Sequence, residues 1–132
     1  MMENQESNYN FFQDNFPIHH YIESKTYEEL YDFVGHIIYI DESLGENYLN
    51  EFVNSEDPYG RTPLYLAVLK QDIKLCQLLL NCGSNPDFRS KKLGLTPLEL
   101  AKQKISTNCV LIYNALKTHS KENSSTGIQL TK

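Results

Sequence analysis

The sequence predicts an all-α fold, a solenoid of about three helix-turn-helix repeats joined by short finger hairpins. Three observations carry that prediction. The octet Gly60-Arg61-Thr62-Pro63-Leu64-Tyr65-Leu66-Ala67 returns as Gly94-Leu95-Thr96-Pro97-Leu98-Glu99-Leu100-Ala101, thirty-four positions later. A second amphipathic segment follows the first octet and stops at Gly83. A turn-rich stretch from Asn85 to Leu93 then leads into the next copy.

Each part of the repeat has a mechanical reason. Glycine tolerates a turn with positive φ, threonine caps a helix, proline fits its first position, and leucine with alanine starts a packed face. From Asp72 to Cys82, the residues Leu75, Cys76, Leu78, Leu79 and Cys82 fall on one broad helical face. Gly83 sits where such a helix ends. An earlier copy begins at Phe16-Pro17-Ile18-His19, followed by Tyr27, Leu30, Tyr31, Val34, Ile37 and Ile38 at helical spacing. Pro17 precedes Pro63 by forty-six positions, so this copy is longer. The excess is expected in a longer second helix and in a loop over 41–47, with 50–60 forming the finger into the next repeat. In the last copy Cys109, Ile112, Tyr113 and Leu116 take the inward face of the second helix.

These motifs, T-P-L-x-L-A above all, resemble the ankyrin repeat family. The resemblance implies a repeat domain over 14–117, with repeats near 14–53, 54–87 and 88–117. A flexible segment is expected over 1–13 and a disordered polar tail over 118–132, which has almost no apolar face to bury. Three units are close to the fewest that make a stable stack, because each buries its apolar face only against its neighbours. His19 takes the place of the family's usual histidine and is expected to bond to the backbone of the neighbouring finger.

Composition narrows the function. With 132 residues, 40% hydrophobic and 22% charged, the chain fits one ordinary globular domain. No apolar run reaches the roughly 18 residues of a membrane span, and the first residues lack the charge and hydrophobicity of a secretory signal. An intracellular protein is expected. Cys76, Cys82 and Cys109 read as packed free thiols, and His19, His20, His36 and His119 pair with no ligand at metal spacing. No catalytic motif is present, Glu28-Glu29 reads as a solvated helix face, and neither enzyme activity nor a cofactor is expected.

The net charge of −5 hides an asymmetry. Through Gly60, one base (Lys25) stands against thirteen carboxylates, a balance of −12; from Arg61 onward, eleven bases stand against four acids, a balance of +7. The acidic half would repel phosphates, so nucleic acid is not expected, whereas a basic protein segment would be attracted.

The run from Thr62 to Val68, with Asp72-Ile73, Leu78-Leu79, Gly83, Asn85-Pro86 and Arg89, is similar to the second repeat of the IκB inhibitors of NF-κB/Rel transcription factors. That resemblance implies a partner of the Rel class, with the first repeats masking its basic nuclear-localisation segment. The chain lacks the D-S-G-x-x-S phosphodegron and has about three repeats rather than six or more. In this it is similar to short IκB-like ankyrin proteins encoded by some viruses of insects, which implies a constitutive inhibitor in the cytoplasm or nucleus of a host cell. A general ankyrin adaptor or assembly subunit with another protein target is the alternative reading. By family position, partner contacts are expected at Asn15, Glu23 and Ser24; at Glu56, Asp57, Pro58, Tyr59, Arg61, Leu69 and Lys70; and at Lys92, Leu93, Leu95, Gln103 and Lys104. Glu23, Glu56 and Asp57 are expected to be solvent-exposed, and Tyr59 to be the aromatic anchor at a fingertip.

Overall fold

The computed structural model describes residues 15–103 and 106–120. The expected flexible segment over 1–13, residues 121–132 of the expected tail, and Lys104 lie outside those residues. Among the described residues seven helices follow in order: α1 Pro17–Ser24, α2 Tyr27–Leu44, α3 Tyr48–Val53, α4 Pro63–Leu69, α5 Ile73–Asn81, α6 Pro97–Gln103 and α7 Thr107–Thr118. No strand occurs among the described residues. The fingers are tight backbone turns, the second closed by Asp57 N–H to the Arg61 carbonyl at 2.9 Å and the third by Ser90 N–H to the Leu95 carbonyl at 3.4 Å.

The helix starts follow the sequence logic. Thr26 and Glu29 form a reciprocal capping box on α2, which satisfies two amides that the first turn would leave orphaned. The Thr62 and Thr96 hydroxyls accept from the amides of Tyr65 and Glu99, and Asp72 and Ser106 cap α5 and α7. Inner helices α1, α4 and α6 pack in sequence, and the outer helices α5 and α7 lie along one another. The core runs through the stack from Ile18, Leu30 and Val34 through Leu64, Val68 and Leu79 to Ile112 and Leu116.

The first repeat differs from expectation. Asp41 to Leu44 continue α2, which ends only at Gly45, a left-handed residue with φ 67°. The extra length then folds as α3 rather than as the start of a finger. Its first amides, Tyr48 and Leu49, donate to the two Asp41 carboxylate oxygens at 2.9 and 3.0 Å. The finger is correspondingly short. At the other end α7 carries the chain through Thr118, and the buried Ser120 hydroxyl donates to Asp87 at 2.8 Å. Ser120, expected in the disordered polar tail, instead ties the end of α7 to the loop that enters the third repeat.

Candidate protein-binding surface

The second fingertip is built around a buried ion pair. Asp57 is 3% exposed. Its carboxylate accepts from the Tyr59 amide at 3.0 Å, from the Arg61 amide at 2.9 Å, and from Arg61 Nε at 2.9 Å, with Arg61 Nη2 at 2.7 Å. Burial alone would raise this carboxyl, but the bonds from the Arg61 side chain and backbone hold it below its ordinary value. The expectation that Asp57 is a solvent-exposed contact is therefore corrected. The turn leaves two amides facing inward, and Oδ1 of Asp57 accepts from both while Oδ2 faces the Arg61 guanidinium. Glu56 is half-buried rather than exposed.

Arg61 links this finger to the first repeat. Its carbonyl accepts from His19 Nε2 at 2.6 Å, as expected for that histidine, and its guanidinium lies 3.6 Å from Glu23. Burial lowers the His19 pKa below the ordinary value, against the raising effect of the bond to Arg61. The ring is neutral, and Nδ1 is buried without a hydrogen-bond partner. The Arg61 guanidinium also stands 5.0 Å from the centre of the Tyr59 ring, which is 67% exposed. Tyr59 thus projects into solvent from a finger whose backbone is held by several bonds.

The next finger is braced against this one. Lys92 Nζ donates to the Pro58 carbonyl. At Gly60, φ is +87°, and an added Cβ would lie 2.7 Å from Ser90 Oγ and 2.9 Å from Lys92 Cβ. Glycine is required there both by conformation and by the close approach of the third finger. Arg89 makes a two-pronged pair with Glu99 at 2.8 and 2.6 Å and donates to the Gly94 carbonyl, fixing the third finger on its own helix.

Among the other predicted contacts, Asn15, Glu23, Ser24, Pro58, Leu69, Lys70, Lys92, Leu93 and Gln103 are exposed, and Arg61 and Leu95 are half-buried. Two fingertips and the ends of α1, α4 and α6 carry them. Cys76 and Cys109 are buried and Cys82 is half-buried, all three as free thiols. Burial pushes Cys76 up to about 12, far from thiolate chemistry at neutral pH. Among the described residues no group of His, Cys, Asp and Glu is arranged to hold a metal, and no helix is long and apolar enough to cross a membrane.

Stacked helix pairs with braced, projecting fingers define a repeat scaffold of the protein-protein interaction class. A family model of ankyrin repeats, in three copies, matches residues 13–122, and the chain belongs to the ankyrin repeat family. It is 38% identical over 69 residues to the ANK repeat-containing protein nipk-1 of Caenorhabditis elegans, a match covering 52% of this chain and 11% of that protein. It is 40% identical over 53 residues to the human transient receptor potential cation channel subfamily A member 1, covering 40% of this chain and 5% of the channel. The chain thus spans about a tenth or less of these relatives. No solved structure matches it. Ankyrin repeat proteins are generally non-enzymatic interaction modules.

Proposed function

We propose that the chain is a non-enzymatic, IκB-like inhibitor that grips a Rel-class transcription factor at a basic segment, acting in the cytoplasm or nucleus of a host cell. The observation that carries this reading is the pairing of an exposed aromatic fingertip, Tyr59, with an acidic first repeat, since 17–53 holds eight carboxylates against Lys25 alone. A ring on a rigid finger supplies contact area at little entropic cost, and the negative field of the neighbouring first repeat draws in a basic segment. The exposed third-repeat bases Lys91, Lys92 and Lys102 favour the second reading, an adaptor for an unrelated and less basic target.

Titration of the full chain against a purified Rel dimer, at low and at moderate salt, separates the two. Tyr59→Ala should weaken binding by about 2 kcal/mol or more, as loss of an aromatic anchor does. Joint reversal of Glu23 and Glu56 to Lys should weaken it by about 1 kcal/mol, an effect that fades as salt rises. Asp57 is left intact because its carboxylate holds the finger. Absence of wild-type binding at micromolar concentrations would leave the adaptor reading; binding that ignores the charge reversals would remove the acidic-surface mechanism.

A further inference from the structure

The outer helices are unevenly stacked. α5 lies along α7, but α2 makes no comparably close approach to α5, and a groove of about 380 Å³ opens between them. Tyr31, Val34, Gly35 and Ile38 of α2 line it together with Leu49 of α3, and Leu78, Asn81 and Cys82 line it from α5 and its end.

A surface helix normally carries one apolar stripe, and α2 carries two. Leu30, Val34 and Ile37 are buried in the stack, whereas Tyr31, Ile38 and Tyr39 are 58%, 41% and 70% exposed. These three fall at i, i+7 and i+8, on one face together with Gly35. Glu28 and Glu42 lie on the same face, one turn beyond either end, and both are exposed. Nothing lies within 4 Å of where a Cβ on Gly35 would stand. The glycine therefore leaves a dent in the middle of an apolar stripe that ends in a carboxylate on each side.

We propose that this groove seats an amphipathic helix of a partner protein, whose apolar side chains at i, i+3, i+4 and i+7 enter between α2 and α5 and whose flanking lysines or arginines meet Glu28 and Glu42. Apolar anchors at that spacing are what a groove between two helices accepts. Charge selects the flanks. The Glu42 end is the more acidic, being followed by the exposed Glu46 and Glu51, while at the Glu28 end Lys74 sits 4.6 Å over the Tyr27 ring. A second copy of this chain is a poorer occupant, because a two-fold contact through this face would set the same carboxylates against each other. The groove lining shares no residue with the fingertip contacts, although Glu28 and Glu42 are among the carboxylates of the Rel reading, so Tyr59→Ala is the variant that separates the two sites.

The test is fluorescence anisotropy of the full chain with a labelled peptide of roughly four helical turns, carrying leucine at i, i+3, i+4 and i+7 and lysine on the flanks. One control peptide disperses the leucines, and another replaces lysine by glutamate. Saturable binding of the first peptide, at least about tenfold tighter than either control, is expected. Gly35→Leu should fill the dent and weaken binding about tenfold or more without lowering the unfolding midpoint, and Glu42→Lys should weaken it several-fold with loss of salt sensitivity. Ile38→Lys, at an exposed position, gives the same reading if Gly35→Leu folds poorly. Tyr59→Ala should change nothing, which separates failure of this site from failure of the fingertip site. Equal binding of the dispersed-leucine peptide, or affinity untouched by both groove variants, would overturn the proposal. So would a concentration-dependent dimer in sedimentation velocity that Gly35→Leu abolishes, since the groove would then belong to a second copy.

Discussion

At the scale of single residues, Arg61 organises the second finger and its contact with the first repeat. Its backbone carbonyl accepts the hydrogen bond from His19 Nε2–H, its amide and guanidinium hold Asp57, and its charge reaches Glu23. His19 and Asp57 are both shifted down in the fold, and both shifts act on stability in the same direction. A histidine lowered by burial keeps its contribution above its unfolded value near 6.5 and loses it as pH falls below that, because the unfolded chain then takes up a proton that the folded chain refuses. A lowered aspartate contributes above its own ordinary value, 3.8, and loses that contribution as pH falls through its still lower folded value. The midpoint of urea unfolding should therefore drop between pH 7 and pH 5, mainly through His19, with His20 adding a part because burial lowers it too. In His19→Gln, which keeps a donor near the Arg61 carbonyl without titrating, that drop should be shallower. An unchanged slope would mean that His19 is not held neutral.

At the scale of elements, α2 departs furthest from a regular repeat. Helical spacing places Tyr31 and Ile38 beside Leu30 and Ile37 as apolar residues, yet the structure buries only the second pair. Periodicity identifies an apolar residue on a helix but does not say which of two stripes meets the core. Gly35 provides a direct check. It lies inside an 18-residue helix with free space where a side chain would be. Gly35→Ala should therefore stabilise the protein by about 0.5 to 1 kcal/mol, the helix-propensity difference, seen as a rise in thermal midpoint of several degrees. A fall would show that α2 is bent or packed through Gly35.

At the scale of the whole molecule, three repeats share one continuous core, and no repeat buries its face alone. Leu79 is fully buried near the centre of that core, in α5. Leu79→Ala should cost about 2 to 5 kcal/mol, measured by denaturant unfolding, through lost transfer energy and the cavity left behind. In so short a stack such a loss should lower the midpoint for all three repeats together. Loss of the second repeat's signal alone, with the others unfolding as before, would mean that the stack is not one cooperative unit.

By itself the sequence determined the helix pairs, the caps at Thr62 and Thr96 and the turns at Gly60 and Gly94, while the bond from His19 to the next finger, forty-two residues away, was implied by the family resemblance. These depend on residues close together in the chain, or on a motif in which each position has a local steric or hydrogen-bonding task. Only the tertiary structure decided that Asp57 is an internal ligand of its own finger, that the surplus residues of the first repeat fold as α3, and that Ser120 closes on Asp87. The same holds for the gap between α2 and α5. Each depends on how far two segments distant in sequence approach one another, and residue type alone does not encode that distance. An aspartate in a turn reads the same whether its carboxylate faces water or two backbone amides; here the amides of Tyr59 and Arg61 point at it, and it is buried.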